Sequence, residues 1–218
     1  MAAIPTTSMA QPSYPATLTV DYPDRKLNRL TSFFRIIVAI PIAIILGLLG
    51  SGAYTVGIHS EFWRTCLTAG GLLFLPLVLM ILFRKKYPKW WFDWNLAITK
   101  FSYRVVSYVL LLRDEYPSTD EEQAVHLGLV YPNAQTELGQ GWPLIKWFLA
   151  IPHYIVLCFL FIALVVVSII AWFAIIFTGR YPKGIFEFTV GVLRWALRVS
   201  AYAVLLVTDK YPAFSLEP

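Results

Sequence analysis

The chain has 218 residues, 58% of them hydrophobic and only 14% charged, with a formal net charge of +5. Soluble domains carry about 25% charged residues, so this composition argues against an ordinary soluble domain and for an integral membrane protein. The positive balance does not point to nucleic acid, because the basic residues flank apolar runs instead of gathering on a polar surface.

Residues 1–16 are uncharged and proline-bearing, lack the basic start and apolar stretch of a secretory signal, and predict a flexible arm. Residues 17–22, TLTVDY, alternate apolar and polar like a short strand. Arg25, Lys26 and Arg29 precede an apolar run at 33–49, with Arg35 at its edge. After a glycine-rich break, in which Gly-Ser-Gly at 50–52 reads as a turn, a second run from about Cys66 to Phe83 completes a predicted transmembrane hairpin over 33–83. Arg84, Lys85, Lys86 and Lys89 close it, and of the 18 lysines and arginines only Arg64 falls in the outer loop. The positive-inside rule then places the open ends of the hairpin, and both termini, in the cytoplasm.

Residues 91–112 predict an amphipathic helix lying in the membrane interface. Asp93, Ala97, Lys100 and Arg104 are spaced by four, three and four and so share one face. Residues 117–124, PSTDEEQA, are a polar linker, and 125–131 resembles a second short strand. The stretch 147–178 holds 32 residues without a charge, with only His153, Ser168 and Thr178 clearly polar. It has two readings. In one it is a compact hairpin with a turn near 161–164, which keeps Lys146 and Arg180 on the same side. In the other it is one long tilted helix kinked at Pro152. The hairpin enters the expected fold. A second amphipathic helix follows at 185–207. The two cysteines, Cys66 and Cys158, lie in separate apolar runs with no CxxC spacing and read as small buried hydrophobes.

The halves can be laid over each other. Ala39-Ile40-Pro41 matches Ala150-Ile151-Pro152, and Lys86-Tyr87-Pro88-Lys89 matches Arg180-Tyr181-Pro182-Lys183. Phe92-Asp93 matches Phe186-Glu187, Lys100 matches Arg194, Arg104 matches Arg198 and Tyr108 matches Tyr202. After a one-residue slip, Asp114 to Pro117 matches Asp209 to Pro212. From Pro41 to Tyr87 is 46 residues and from Pro152 to Tyr181 is 29, so the first half carries 17 more. The expected architecture is an all-α membrane protein of two tandem repeats, 17–116 and 125–218. Each is a transmembrane hairpin followed by an amphipathic interfacial helix. Short extended segments at 17–22, 109–114, 125–131 and 204–209 could pair as a cytoplasmic sheet, the second and fourth reading equally as helix ends.

AIPHYIVL, GRYPKGIFEF, VLRWALRVSAY and TDKYPAFSL resemble a bacterial membrane family catalogued only as a domain of unknown function (four-three-eight-nine). The resemblance is close in the second half and looser in the first, which reads AIPIAI for AIPHYI and KYPKWW for RYPKGI. It implies a bacterial membrane protein and supplies no activity.

No catalytic constellation stands out. His59, His126 and His153 are isolated, without metal-ligand spacing, and no phosphate loop or nucleophile elbow is present. The expectation is therefore a non-enzyme without cofactor or metal. His153 reads as an interfacial polar residue. Lys100, Arg104, Arg194 and Arg198 are the candidates for binding anionic lipid headgroups or a partner's acidic residues, with Asp93 and Glu187 pairing to the cations of the other repeat. The expected role is an accessory or scaffold subunit of a membrane protein complex in the bacterial inner membrane, contacting lipids and other membrane subunits. A lipid-organising hairpin protein is the alternative. A small transporter or channel ranks last, because the predicted spans carry no charge beyond Arg35.

Overall fold

The computed structural model describes residues 14–23, 27–50, 74–119, 121–135, 138–139 and 141–217. In chain order the elements are β1 (Ala16–Val20), α1 (Arg29–Phe33), α2 (Arg35–Gly50), α3 (Phe74–Arg84), α4 (Lys89–Val109), β2 (Val125–Leu129), α5 (Trp142–Thr178) and α6 (Lys183–Ala203). Most of the expected arm, and residues 51–73 with His59, Cys66 and the end of the expected Gly-Ser-Gly turn, lie outside the described residues.

Two of the four extended segments are strands. β1 and β2 pair antiparallel from Ala16↔Leu129 to Val20↔Val125. The alternation that suggested them turns Ala16, Leu18, Val125 and Leu127 into the core. Ala16, assigned to the arm by sequence, opens the strand, and Tyr14 before it is already buried. β1 packs on α6, whereas β2 packs on α4. The sheet therefore straddles the two long amphipathic helices.

The segments 109–114 and 204–209 are helix ends instead. Leu111 (φ 66°) and Leu206 (φ 53°) adopt the left-handed conformation that stops a helix, one after α4 and one after α6. For leucine this costs roughly 1–2 kcal/mol. Burial of the side chains offsets it, since Leu112 and Leu206 are fully enclosed and Leu111 nearly so.

The expected hairpin at 147–178 is not formed: α5 is a single 37-residue helix with Pro152 inside it. At about 1.5 Å per residue it is about 55 Å long. Nothing in 161–164, FIAL, punctuates a helix, and the Ser168 hydroxyl donates back to Leu164 O at 2.6 Å, so its polar group is satisfied without leaving the helix. The stop comes at Gly179, left-handed at φ 72°, whose N–H donates to Ile175 O at 2.7 Å. Lys146 and Arg180 consequently lie near opposite ends of a long rod and not side by side.

One stripe of α5, including Lys146, Ala150, His153, Leu157, Leu164, Ala171 and Ile175, is buried. Its other faces expose large apolar side chains along their whole length, among them Phe148, Ile155, Phe159, Ile162, Val165, Ile169 and Phe177. Cys158, expected to be buried, is on that exposed surface. Among the described residues α5 alone is long and apolar enough to cross a membrane, and α2 holds a shorter apolar stretch, Ile37–Leu46.

α6, expected to lie in the interface, is instead the central helix: 13 of its 21 residues are buried. α5, β1 and the C-terminal segment cover it on different sides. Gly191 shows how close the last of these lies, since a Cβ there would sit 2.9 Å from Leu216 Cβ and 3.0 Å from its carbonyl oxygen.

Ala163→Pro discriminates between the two readings of α5. In a turn it would be tolerated, whereas inside a continuous helix it removes a hydrogen bond and clashes with the preceding turn. A loss of about 3 kcal/mol or more is expected, read as a lower melting temperature of the full chain in detergent.

Candidate functional site

A guanidinium stays charged in any protein environment, so a buried arginine must find acceptors. Three of the four candidate cations do so on backbone carbonyls. Arg104 donates from Nη1 to Ser118 O at 2.8 Å. Arg194 donates from Nε to Leu18 O at 3.0 Å and from Nη1 to Leu216 O at 3.1 Å. Arg198 donates from Nη2 to Glu217 O at 2.6 Å and from Nη1 to Ser215 O at 3.5 Å. These arginines therefore fasten the chain to itself. Arg194 alone ties the strand at one end of the described chain to the segment at the other. The Tyr14 hydroxyl adds bonds to Arg198 O and Lys210 O at 3.3 and 3.1 Å, and burial pushes its phenol above the ordinary value, so it remains a neutral donor.

The remaining stripe residues behave differently. Lys100 is half-buried, Asp93 and Glu187 are exposed, and among the described residues none of the three enters an ion pair. The stripe positions do share a face, but the structure does not bring the acids of one helix to the cations of the other.

The charges that do meet are ones the stripe analysis passed over. Arg35, at the mouth of α2 and 2% exposed, is ion-paired to Asp114, donates to Tyr108 O at 2.9 Å and Arg113 O at 2.6 Å, and lies 4.4 Å over the Tyr108 ring. Lys146, in the second turn of α5 and 0% exposed, has its Nζ 2.6 Å from Asp209 Oδ1, donates to Thr208 O at 2.7 Å, and lies 5.2 Å from the Tyr202 ring centroid. The other carboxylate oxygen is used alike in both. Asp114 Oδ2 accepts from Asn28 N–H at 2.8 Å, and Asp209 Oδ2 from Gly139 N–H at 2.7 Å. Each of those amides lies seven residues before the cation.

Each node thus consists of a cation at the start of an apolar helix, a tyrosine near the end of the following amphipathic helix, and an aspartate just beyond it. The signal was present in the sequence. Arg35 and Lys146 each stand four residues before an Ala-Ile-Pro, and both Tyr108/Tyr202 and Asp114/Asp209 fall at matched positions. Protein groups surround both charges, so the nodes act as clamps.

His153, expected at the interface, is fully buried. Trp195 Nε1–H donates to its Nδ1 at 3.1 Å, and the ring stacks on Phe214 at 3.9 Å and packs against Tyr211. It is a packing post for the C-terminal segment. His126 is exposed on β2, 3.3 Å from Asp21. Among the described residues no group of three or more His, Cys, Asp or Glu could hold a metal ion.

Residues 143–215, which include α5 from its second residue, α6 and the Lys146–Asp209 clamp, match a family described as Domain of unknown function (DUF4389). No curated protein and no solved structure matches the chain.

A double-mutant cycle on the second clamp separates a pair from two independent charges. Asp209→Asn leaves the Lys146 ammonium buried and uncompensated and is expected to cost about 3–5 kcal/mol. Lys146→Met leaves Asp209, which is 22% exposed and partly hydrated, and is expected to cost less. The double variant is expected to melt above Asp209→Asn alone in detergent, whereas independent roles would make the losses add.

Proposed function

We propose that the chain is a non-enzymatic scaffold or accessory subunit embedded in a bacterial inner membrane, built from two related units in which buried ion pairs clamp apolar helices onto the rest of the chain. The observation that carries this reading is the inverted surface of α5. Its buried stripe includes a lysine and a histidine, while its exposed faces carry phenylalanine, isoleucine and valine along almost their full length. Water would not tolerate such a surface on a monomer, and lipid requires it.

At about 55 Å, α5 is nearly twice the hydrocarbon thickness of about 30 Å. Spanning upright along its whole length is therefore impossible, and the excess exceeds what the usual tilt absorbs. In this reading its first turns, with the exposed Trp142 and Trp147, run along the interface and the remainder crosses. α2, with exposed Ile37, Ile40, Ile44 and Ile45, joins it in the apolar layer as part of a multi-pass arrangement. The meeting of Leu18 and Leu216 on Arg194 supports both termini lying on one side, which the positive-inside rule makes cytoplasmic.

The repeated clamp supports the two-unit reading, as do α4 and α6. Both helices have 21 residues, follow a Tyr-Pro pair, and are stopped by a left-handed leucine. A scaffold role is supported by what the buried charges do: they bind the chain's own carbonyls and carboxylates, which holds a shape. A lipid-organising role is the second reading, favoured by the length of exposed apolar helix that runs beyond a simple span.

Two measurements bear on this. In a Cys66→Ala variant, Cys158 is expected to resist a membrane-impermeant maleimide in intact membranes and to react once the membrane is dissolved in denaturing detergent. Rapid labelling in intact membranes would show α5 facing water. Mild-detergent purification of the full chain is expected to bring down stoichiometric membrane partners, and a clean isolated monomer would overturn the scaffold reading.

A further inference from the structure

We infer that the turn after α3 is a binding site for the phosphate headgroup of an anionic phospholipid, with Lys85 and Lys86 as its ligands. The inference rests on the membrane reading above but concerns a different part of the chain from the clamps and from α5.

The first observation is a cavity. Where α3 ends, Lys85 and Lys86 line an open pocket of about 600 Å³ together with Met80, Tyr131, Asn133 and Gln135. Its lining joins two ammonium groups to tyrosine, amide and apolar surface. That combination suits a phosphate carrying a small polar alcohol above and the start of an acyl chain below.

The second observation is the surrounding charge. Arg84, Lys85, Lys86 and Lys89 are all exposed, and among the described residues none is paired to a carboxylate. Arg104, Arg194 and Arg198 already donate to backbone carbonyls, whereas these four cations form an exposed positive cluster open to an anion. Phe83, two residues before Lys85, and Trp90, two residues after Pro88, are among the most exposed aromatics of the described residues, at 73% and 69%. A solvent-facing apolar ring, then cations, then tryptophan is the order met on passing from acyl chains to headgroups.

The third observation is backbone strain. Lys85 has φ 45°, in the left-handed region. The matched position after α5 is Gly179, at φ 72°, doing the same helix-stopping job with the residue that suits it. Lysine there is costlier than glycine. Favourable interaction of a cation with the helix C-terminus does not account for it, since Arg84 and Lys86 on either side already supply that. A strained residue where an easier one serves elsewhere in the same chain marks a side chain retained for what it contacts.

The same strain supplies the test. The full chain, purified in neutral detergent, is titrated with phosphatidylglycerol, with phosphatidylcholine of identical acyl chains, and with glycerol phosphate. Retained lipid is counted by native mass spectrometry and melting temperature is followed in parallel. Wild type is expected to retain phosphatidylglycerol in preference to phosphatidylcholine. Lys85→Gly/Lys86→Gln is expected to bind phosphatidylglycerol roughly twenty-five-fold more weakly, at about fivefold per cation. Lys85→Gly without lipid is expected to melt no lower than wild type, because glycine relieves the left-handed backbone. Equal retention of the two lipids by wild type, or undiminished phosphatidylglycerol binding by the double variant, would overturn the site. Protection by glycerol phosphate equal to that by phosphatidylglycerol would overturn the lipid assignment. Alkaline extraction of membranes carrying the double variant reads the membrane reading separately. Loss of lipid preference with retention in the pellet is the expected pair of results, and release to the supernatant would overturn the membrane reading itself.

Discussion

A charge held at the mouth of an apolar helix constrains everything on either side of it. Arg35 and Lys146 cannot reach water, so each must be met by an acid and by carbonyls, and the groups that meet them come from the far end of the following long helix. That requirement closes the chain into a loop of apolar helix, connection, amphipathic helix and back. The aspartate then uses its second oxygen on an amide seven residues upstream of the cation, which also fixes the direction from which the chain enters the apolar helix. A hydrophobic contact could hold the two helices together, but it is non-directional and would leave their axial register loose. The ion pair with its flanking carbonyls specifies one register.

With the clamps in place, the burial of α6 follows. Lys146 is drawn to the end of α6, which lays the first half of α5 along it, with Leu157 against Trp195 and Val199 and with Ala150 against Tyr202 and Ala203. The chain leaving Asp209 turns back along α6. His153, Tyr211 and Phe214 stack where it does so, and Arg198 catches the carbonyls of Ser215 and Glu217. β1 takes the remaining side through Leu18 and Arg194. A helix that carries two arginines among mostly apolar residues is in this way enclosed by backbone, which offers those arginines acceptors that acyl chains could not.

What the sequence made legible was periodicity and punctuation. TLTVDY and VHLGL alternate in a two-residue period, so both strands could be read directly. VLLLRD and VLLVTD lack that alternation, and their left-handed leucines go with the burial of Leu112 and Leu206, which no local pattern encodes. The stripe of Lys100, Arg104, Arg194 and Arg198 was correct as a helical face. Periodicity says which residues share a face but not whether that face meets headgroups or a returning chain, and here it meets Ser118, Leu18 and Leu216. The hairpin reading of 147–178 rested on where its flanking charges ought to lie. FIAL contains nothing that stops a helix, and with no competing turn signal the uninterrupted hydrogen-bond ladder prevails. The clamps were missed because Arg35 and Lys146 were weighed as topology signals and Asp114 and Asp209 as the ends of extended segments, when each pair is a single unit with a buried cation.

The catch made by the long helices also changes the meaning of the polar stretch between the halves. Arg104 holds Ser118 O, as Arg198 holds Ser215 O, each gripping the chain shortly after it has passed the clamp aspartate. Ser118 further accepts at its hydroxyl from Glu121 N–H, and Gln123 bonds both Ser118 N–H and Tyr116 O. Residues 117–124 look like a flexible spacer by composition, yet the described part of that stretch is fastened at its start and folded on itself. A free tether would let β2 approach β1 in more than one register, and a slip of one residue would turn Val125 and Leu127 outward and His126 into the core. Fixing the segment at Arg104 holds β2 against α4 and so favours the register in which Val125 and Leu127 face the core. The same arginine that seemed available for lipid is thereby turned to the chain itself, whereas Lys85 and Lys86 stay exposed beside an open pocket.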